Sequence, residues 1–173
     1  MTDAERFEAF VQEYQDMVFA TAVRLLGRED EAEDVAQTVF LRAFERFGTI
    51  GHSPSAPGWL KTVATNLCLN HLSRYRARWQ FFSELDQAGE SGTIAFADSV
   101  AARDAEDDEA QRHDRDARLE SALRRLPDHQ RVPLVLFHFE DRSYQEIAVT
   151  LGVSLAKVKS DIHRGREALK KYL

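Results

Sequence analysis

The chain has 173 residues and a formal net charge of −6, with 43% hydrophobic and 30% charged residues, 8 Gly and 4 Pro. That length admits one ordinary domain or two small ones, and the composition is that of a folded chain rather than a disordered one. No apolar run approaches the roughly 18–20 residues of a membrane span, the acidic start MTDAERFEAF has no signal-peptide pattern, and Cys68, the one cysteine, can form no internal disulfide, so a cytoplasmic protein without membrane insertion is expected.

The total charge hides an uneven distribution. Residues 1–82 carry 9 basic and 11 acidic side chains, 83–118 carry 4 and 11, and 119–173 carry 10 and 7. A basic C-terminal block beside an acidic middle points to a local nucleic-acid surface masked in the sum.

Phe7, Phe10, Val11, Tyr14, Val18, Ala22 and Leu25 recur at spacings of three and four and predict a helix over 4–26. Gly27 suits its left-handed C-terminal position. A second helix is predicted over 29–47. REDEAEDV loads its first turns with acid, which complements the helix dipole, and its stripe is Ala32, Val35, Ala36, Val39, Phe40, Ala43, Phe44 and Phe47. GTIGHSPSAPG, residues 48–58, holds three Gly, two Pro and two Ser and reads as a loop. A third helix over 59–78 turns Leu60, Val63, Ala64, Leu67 and Leu72 inward and ends in the Arg-rich RYRARW.

Periodicity fades between 80 and 116, an acidic stretch that reads as a flexible linker with at most a short helix within 100–118. Fully extended, such a linker reaches at most about 120–130 Å, against roughly 34 Å for one turn of DNA, so it is long enough to span separate sites on one duplex. Helix resumes over 116–126, with Leu119, Ala122, Leu123 and Leu126 on one stripe, and Pro127 ends it. DHQRVPLVLFHFE forms the next helix, with Pro133 tolerated near the first turn. Ser143 and Glu146 make a Ser-x-x-Glu capping box. YQEIAVTL then stops at Gly152, and Ser154 caps a final helix to about Tyr172. There is no phosphate-binding Gly loop, organised nucleophile–base motif or metal-type Cys/His cluster, so no catalytic residue, metal or cofactor is expected.

Two helices joined by a short Gly-containing turn are a helix-turn-helix signature. Ile147, Ala148 and Leu151 can pack with Val153, Val158 and Ile162, which leaves the second helix exposing Lys157, Lys159, Ser160, His163, Arg164 and Arg166. The N-terminal half of such a helix faces major-groove bases. Lys159, Ser160 and Arg164 suit base edges or phosphates, and Lys157 and Arg166 suit phosphates. The competing account is that basic residues near a helix C-terminus complement its dipole, and Lys170 and Lys171 fit that account.

LRRLPDHQRVPLVLFHFEDRSYQEIAVTLGVSLAKVKSDIHRGREAL resembles region 4 of the extracytoplasmic-function sigma factors of bacterial RNA polymerase, through its Leu-Pro, Ser-Tyr-x-Glu-Ile-Ala and Val-Lys-Ser elements. EDVAQTVFLRAF and GWLKTVATNLCLNHL resemble region 2 of the same family. The resemblance implies an all-α protein of two small helical domains. Region 2 would occupy 1–80, the acidic linker 81–115 and region 4 with its helix-turn-helix 116–173. It implies that Asp34, Gln37, Phe40 and Leu41 meet the clamp coiled coil of the largest polymerase subunit, with the flap of the second subunit as a further contact. His52, Ser53, Lys61, Asn66, Arg74 and Arg76 would serve the minus-ten element, where a flipped base needs hydrogen-bonding groups, with Arg78 on phosphates and Tyr75 or Trp79 for stacking. Lys157, Lys159, Ser160, His163, Arg164 and Arg166 would serve the minus-35 element. An anti-sigma factor is an implied partner.

The chain departs from the family pattern at Thr62, Asp161 and Gly165. A carboxylate at 161 accepts from cytosine N4 but repels phosphate, and Gly in a helix costs about 1 kcal/mol against Ala. Two other readings stay open. A sigma-like adaptor would bind a regulatory protein and no DNA, a reading that Asp161 and the net charge favour. A plain helix-turn-helix repressor would leave 1–82 without a role.

Overall fold

A computed structural model describes residues 1–73 and 109–173. Among the described residues there are eight helices and no strand, and the chain divides into two compact units, Met1–Tyr75 and Arg76–Leu173. No described helix is long and apolar enough to cross a membrane.

In the N-terminal unit, α1 spans Asp3–Leu26. It starts on a capping box: Thr2 Oγ1 accepts the Glu5 N–H at 3.2 Å, and Glu5 Oε2 accepts the Thr2 N–H at 2.8 Å. It ends at Gly27, whose φ of 71° is left-handed and whose N–H reaches the Val23 carbonyl. The next helix, α2, spans Glu29–Glu45 with three carboxylates in its first turn. It stops two residues short of the predicted end, because Arg46 leaves helical geometry and Phe47–Ile50 forms a separate single turn, α3. The predicted loop is shorter than its Gly and Pro content suggests. Ser53 and Ser55 hydroxyls pair at 2.7 Å, and α4 already begins at Ala56 and runs to Leu72. Pro57 sits in the first turn of α4, where an absent N–H breaks no helical bond.

These helices enclose Val18, Ala22, Leu25, Val39, Ala43, Leu60, Ala64 and Cys68, all fully buried. Each large apolar side chain so buried contributes about 1.5–3 kcal/mol. An exposed pair such as Arg28–Asp30, at 3.8 Å, contributes about 0.2–1 kcal/mol, so burial rather than surface charge holds the unit together. His71 near the end of α4 lies 3.4 Å from Glu31 at the start of α2.

In the C-terminal unit, α5 spans Glu109–Arg125, α6 Asp128–His138, α7 Tyr144–Leu151 and α8 Leu155–Tyr172. Residues 109–115, which the sequence gives to the linker, are thus helical, while 81–108 lie outside the described residues. Arg131 is buried at the start of α6, where it donates to the Leu126 carbonyl at 2.8 Å and pairs with Asp128. Pro133 sits inside α6, in its second turn rather than its first. Ser143 caps α7 by accepting the Glu146 N–H at 3.1 Å. Its own hydroxyl donates to Glu146 Oε1, so one half of the predicted capping box forms. Gly152 turns the chain with a φ of 68°, and Ser154 Oγ accepts the Lys157 N–H at 3.1 Å. Leu123, Leu134, Leu136, Ile147, Val158 and Ile162 form the core. Gly165 faces α6, where an added Cβ would stand 3.4 Å from the Gln130 carbonyl oxygen.

Candidate nucleic-acid interface

The pair α7–α8 has the helix-turn-helix arrangement that the sequence predicts. Lys157, Val158, Asp161, Ile162 and Gly165 form the buried stripe of α8. The opposite face carries Lys159, Ser160, His163, Arg164 and Arg166, all partly exposed, so the structure brings five of the six predicted minus-35 residues to one surface.

The sixth, Lys157, requires a correction. It is not exposed but 5% accessible, and its Nζ donates to Asp161 Oδ2 at 2.7 Å, with Asp161 itself 4% accessible. The pair lines a small crevice together with His129, Pro133, Leu151, Val153 and Val158. Burial pushes the Asp161 carboxyl above its ordinary pKa, and the hydrogen bond and charge of Lys157 pull against that shift without cancelling it. Lysine is seldom fully buried unless it is paired, and Asp161 is here the partner. Positions 157, 158, 161, 162 and 165 nonetheless follow the helical period of the buried face. Asp161, the departure that weighed against DNA, therefore does not lie on the outward face.

Arg166 is held in place. Its Nε donates to His138 Nε2 at 3.1 Å, and its guanidinium lies 5.6 Å from the centre of the Phe137 ring, which stacks on Tyr144 at 4.6 Å. Partial burial, and then the Arg166 charge, lower the His138 pKa, which keeps its imidazole neutral and able to accept that bond. Leu155 and Ala156, absent from the predicted set, also face outward at the first turn of α8. Neither carries the charge or hydrogen-bonding group that would mark it in the sequence.

In the N-terminal unit, Asp34, Gln37 and Leu41 are exposed on α2 and Phe40 is partly so. An open groove between α1 and α2 is lined by Phe7, Val11, Phe19, Gln37, Phe40, Leu41 and Phe44, so three of the four predicted polymerase-binding residues share one surface. Asp34 does not line the groove and sits one turn before Gln37. Leu41 is 66% and Phe44 61% accessible, a large apolar exposure for two neighbouring residues.

His52 is exposed on the loop, Ser53 is half-buried beside Ser55, and Lys61 is half-buried on α4. Asn66 is exposed on α4 in a polar row with Thr62 and Asn70 at successive turns. Thr62 Oγ1 donates to the Gly58 carbonyl at 2.9 Å. Asn70 was not singled out by the sequence, although its i,i+4 relation to Asn66 was available there. Arg74, Tyr75, Arg76, Arg78 and Trp79 lie outside the described residues. Among the described residues no group of three or more His, Cys, Asp or Glu is placed to hold a metal ion.

Residues 10–78 match the family of Sigma-70 region 2, and residues 116–169 match that of Sigma-70, region 4. The chain is 30% identical over 171 residues to the ECF RNA polymerase sigma factor SigW of Bacillus subtilis, an alignment covering 99% of this chain and 90% of that protein. It is 35% identical over 170 residues to the ECF RNA polymerase sigma factor SigE of Mycolicibacterium smegmatis, covering 96% and 61%. It is 31% identical over 173 residues to the RNA polymerase sigma-H factor of Pseudomonas aeruginosa, covering 99% and 88%.

Proposed function

The chain belongs to the extracytoplasmic-function sigma factors of bacterial RNA polymerase, and we propose from that premise how its residues divide the work. It partners core RNA polymerase and promoter DNA and directs promoter-specific transcription initiation. Sigma factors are initiation factors rather than enzymes. The proposed place of action is the cytoplasm, and an anti-sigma protein belongs to the same proposal.

In this reading the N-terminal unit holds core polymerase. The observation that carries it is the exposure of Leu41 and Phe44 beside Gln37 and Phe40. Apolar surface left in water costs about 25 cal/mol per Å², and a helix of the polymerase clamp laid into the groove removes that surface from water. Asp16 and Glu33 on the groove rim, with Asp34 a turn away, favour a partner bearing basic side chains. The polar row Thr62–Asn66–Asn70 and the loop with His52 and Ser53 serve the downstream element, where an unpaired base offers edges that an amide can both donate to and accept from. Lys61, Arg74 and Arg76 then hold backbone phosphates. The outward face of α8 serves the upstream element, where a reader helix enters the major groove. The adaptor alternative loses its main support, because Asp161 is turned into the fold.

Run-off transcription with core polymerase and a promoter library tests this division. Leu41→Glu is expected to weaken core binding about ten-fold or more, the worth of one buried leucine. Asn66→Ala is expected to bind core and closed promoter as the wild type does and to open the duplex more slowly. Unchanged core binding by Leu41→Glu would remove the groove from the interface, and unchanged opening by Asn66→Ala would remove that residue from melting.

A further inference from the structure

The first turn of α8 presents something different from the rest of its outward face. Ser154, the N-cap, accepts the Lys157 N–H on its Oγ at 3.1 Å, which ties the hydroxyl to the helix end and leaves its O–H as a donor. Lys157, the only charged residue of that turn, is withdrawn into the Asp161 pair. The turn therefore meets solvent with Leu155, 36% accessible, and with the exposed methyl of Ala156. The basic outward residues come later: Lys159 is one turn on, and Arg164 and Arg166 are more than two turns on.

Side chains in a helix tilt toward its N-terminus, and a reader helix enters the major groove with its N-terminal residues at the base edges. Beside the Ser154 hydroxyl, the groups nearest the floor of the groove are thus the alkyl side chains of Leu155 and Ala156, while the later cations lie toward the phosphates. Alkyl side chains neither donate nor accept hydrogen bonds. Of the groups displayed in the major groove, the one apolar group is the C5-methyl of thymine. Packing against it removes about one methyl group from water on the DNA side.

We infer that Leu155 and Ala156 read thymine C5-methyl groups at one or two adjacent positions of the upstream promoter element. These residues set specificity, and Lys159, Arg164 and Arg166 supply affinity and register. The inference rests on the reading of α8 as the upstream recognition helix and adds to it the base chemistry recognised.

The test uses the holoenzyme assembled from core polymerase and the full chain. In the selected promoter, each thymine of the upstream element is replaced in turn by deoxyuridine, which keeps the base pair and the minor groove but lacks the C5-methyl. The wild type is expected to bind about four-fold more weakly at one or two adjacent positions, the worth of one buried methyl, and to be unaffected elsewhere. Leu155→Ala or Ala156→Ser is expected to bring that discrimination below about two-fold at its own position. Both substitutions lie on the solvent side of α8, and the wild-type measurement stands without them. The inference is overturned if deoxyuridine is tolerated at every upstream position, if the selected element contains no thymine on either strand, or if both variants keep the full discrimination. A holoenzyme with no upstream sequence preference at all would instead remove the recognition-helix reading, and the inference with it.

Discussion

Lys157 and Asp161 are the residues whose roles the structure changes most. Two opposite charges, each about 95% removed from water, attract strongly, yet both lose hydration. The direction of the Asp161 shift says which effect wins: burial raises the carboxyl pKa despite Lys157 at 2.7 Å. A raised folded-state pKa means that the folded unit holds the Asp161 proton more tightly than the unfolded chain does. This residue's stabilising contribution is therefore complete below its ordinary value of 3.8 and is lost as pH rises through its folded value. At neutral pH the ionised Asp161 therefore adds no stability of its own, and the buried hydrogen bond to Lys157 constrains the geometry of α8. Lys157→Met or Asp161→Leu alone is expected to destabilise the C-terminal unit by about 3–5 kcal/mol, because each strands one buried charge. The double variant, which sets apolar side chains at both buried positions, is expected to match or exceed the wild type by up to about 4 kcal/mol. Denaturant midpoints of the four proteins at pH 7 decide it. A double variant as unstable as the singles would make the pair a net stabiliser and contradict the account given by the Asp161 shift.

At the scale of the helix, Gly165 poses the opposite problem, a residue of poor helix propensity kept in the middle of α8. Its buried position facing α6 suggests a need for close approach, but an added Cβ would meet Gln130 and Leu134 at 3.4–3.7 Å, an ordinary contact distance. Gly165→Ala is therefore expected to gain most of the propensity difference and raise the stability of the C-terminal unit by about 0.5–1 kcal/mol, read as a higher denaturant midpoint at unchanged slope. A loss of stability would mean that α8 must shift away from the Gln130 carbonyl. The same scale explains what the sequence made legible. Long helices announce themselves through apolar spacing, and α1 and α7 end at Gly27 and Gly152 because glycine enters the left-handed region without penalty. The short elements were less legible. Pro57 counts as a loop residue by composition and as a helix starter by position, so composition alone gives the first turn of α4 to the loop. Asn66 stands out by likeness to a family, whereas Asn70 follows from the helical repeat alone. Leu155 carries no chemical signature in the sequence, because an exposed leucine gains meaning only once its charged neighbour turns inward.

At the scale of the whole chain, the question is how a protein of net charge −6 holds a polyanion. The distribution answers it: residues 83–118 hold 11 acidic against 4 basic side chains, while 119–173 hold 10 basic against 7 acidic. The phosphate attraction is local to the C-terminal unit and works against the rest of the chain, so duplex binding should depend on assembly with core polymerase. Within that complex each cation that neutralises a phosphate releases counterions, and log binding falls with log salt by about 0.9 for each such contact. Substituting Lys159, Arg164 or Arg166 by Gln, one at a time, is expected to flatten the slope of the holoenzyme–promoter complex by about 0.9 or less per residue, with the smallest change at Arg166 because His138 and Phe137 already hold its guanidinium. The Lys157→Met/Asp161→Leu double variant is expected to leave the slope unchanged, because Lys157 faces the core and its charge is already balanced there. Binding titrations between about 50 and 200 mM salt resolve the difference. A flattened slope in the double variant would mean that Lys157 leaves its pair to reach a phosphate when DNA arrives, and the buried geometry would then describe only the free protein.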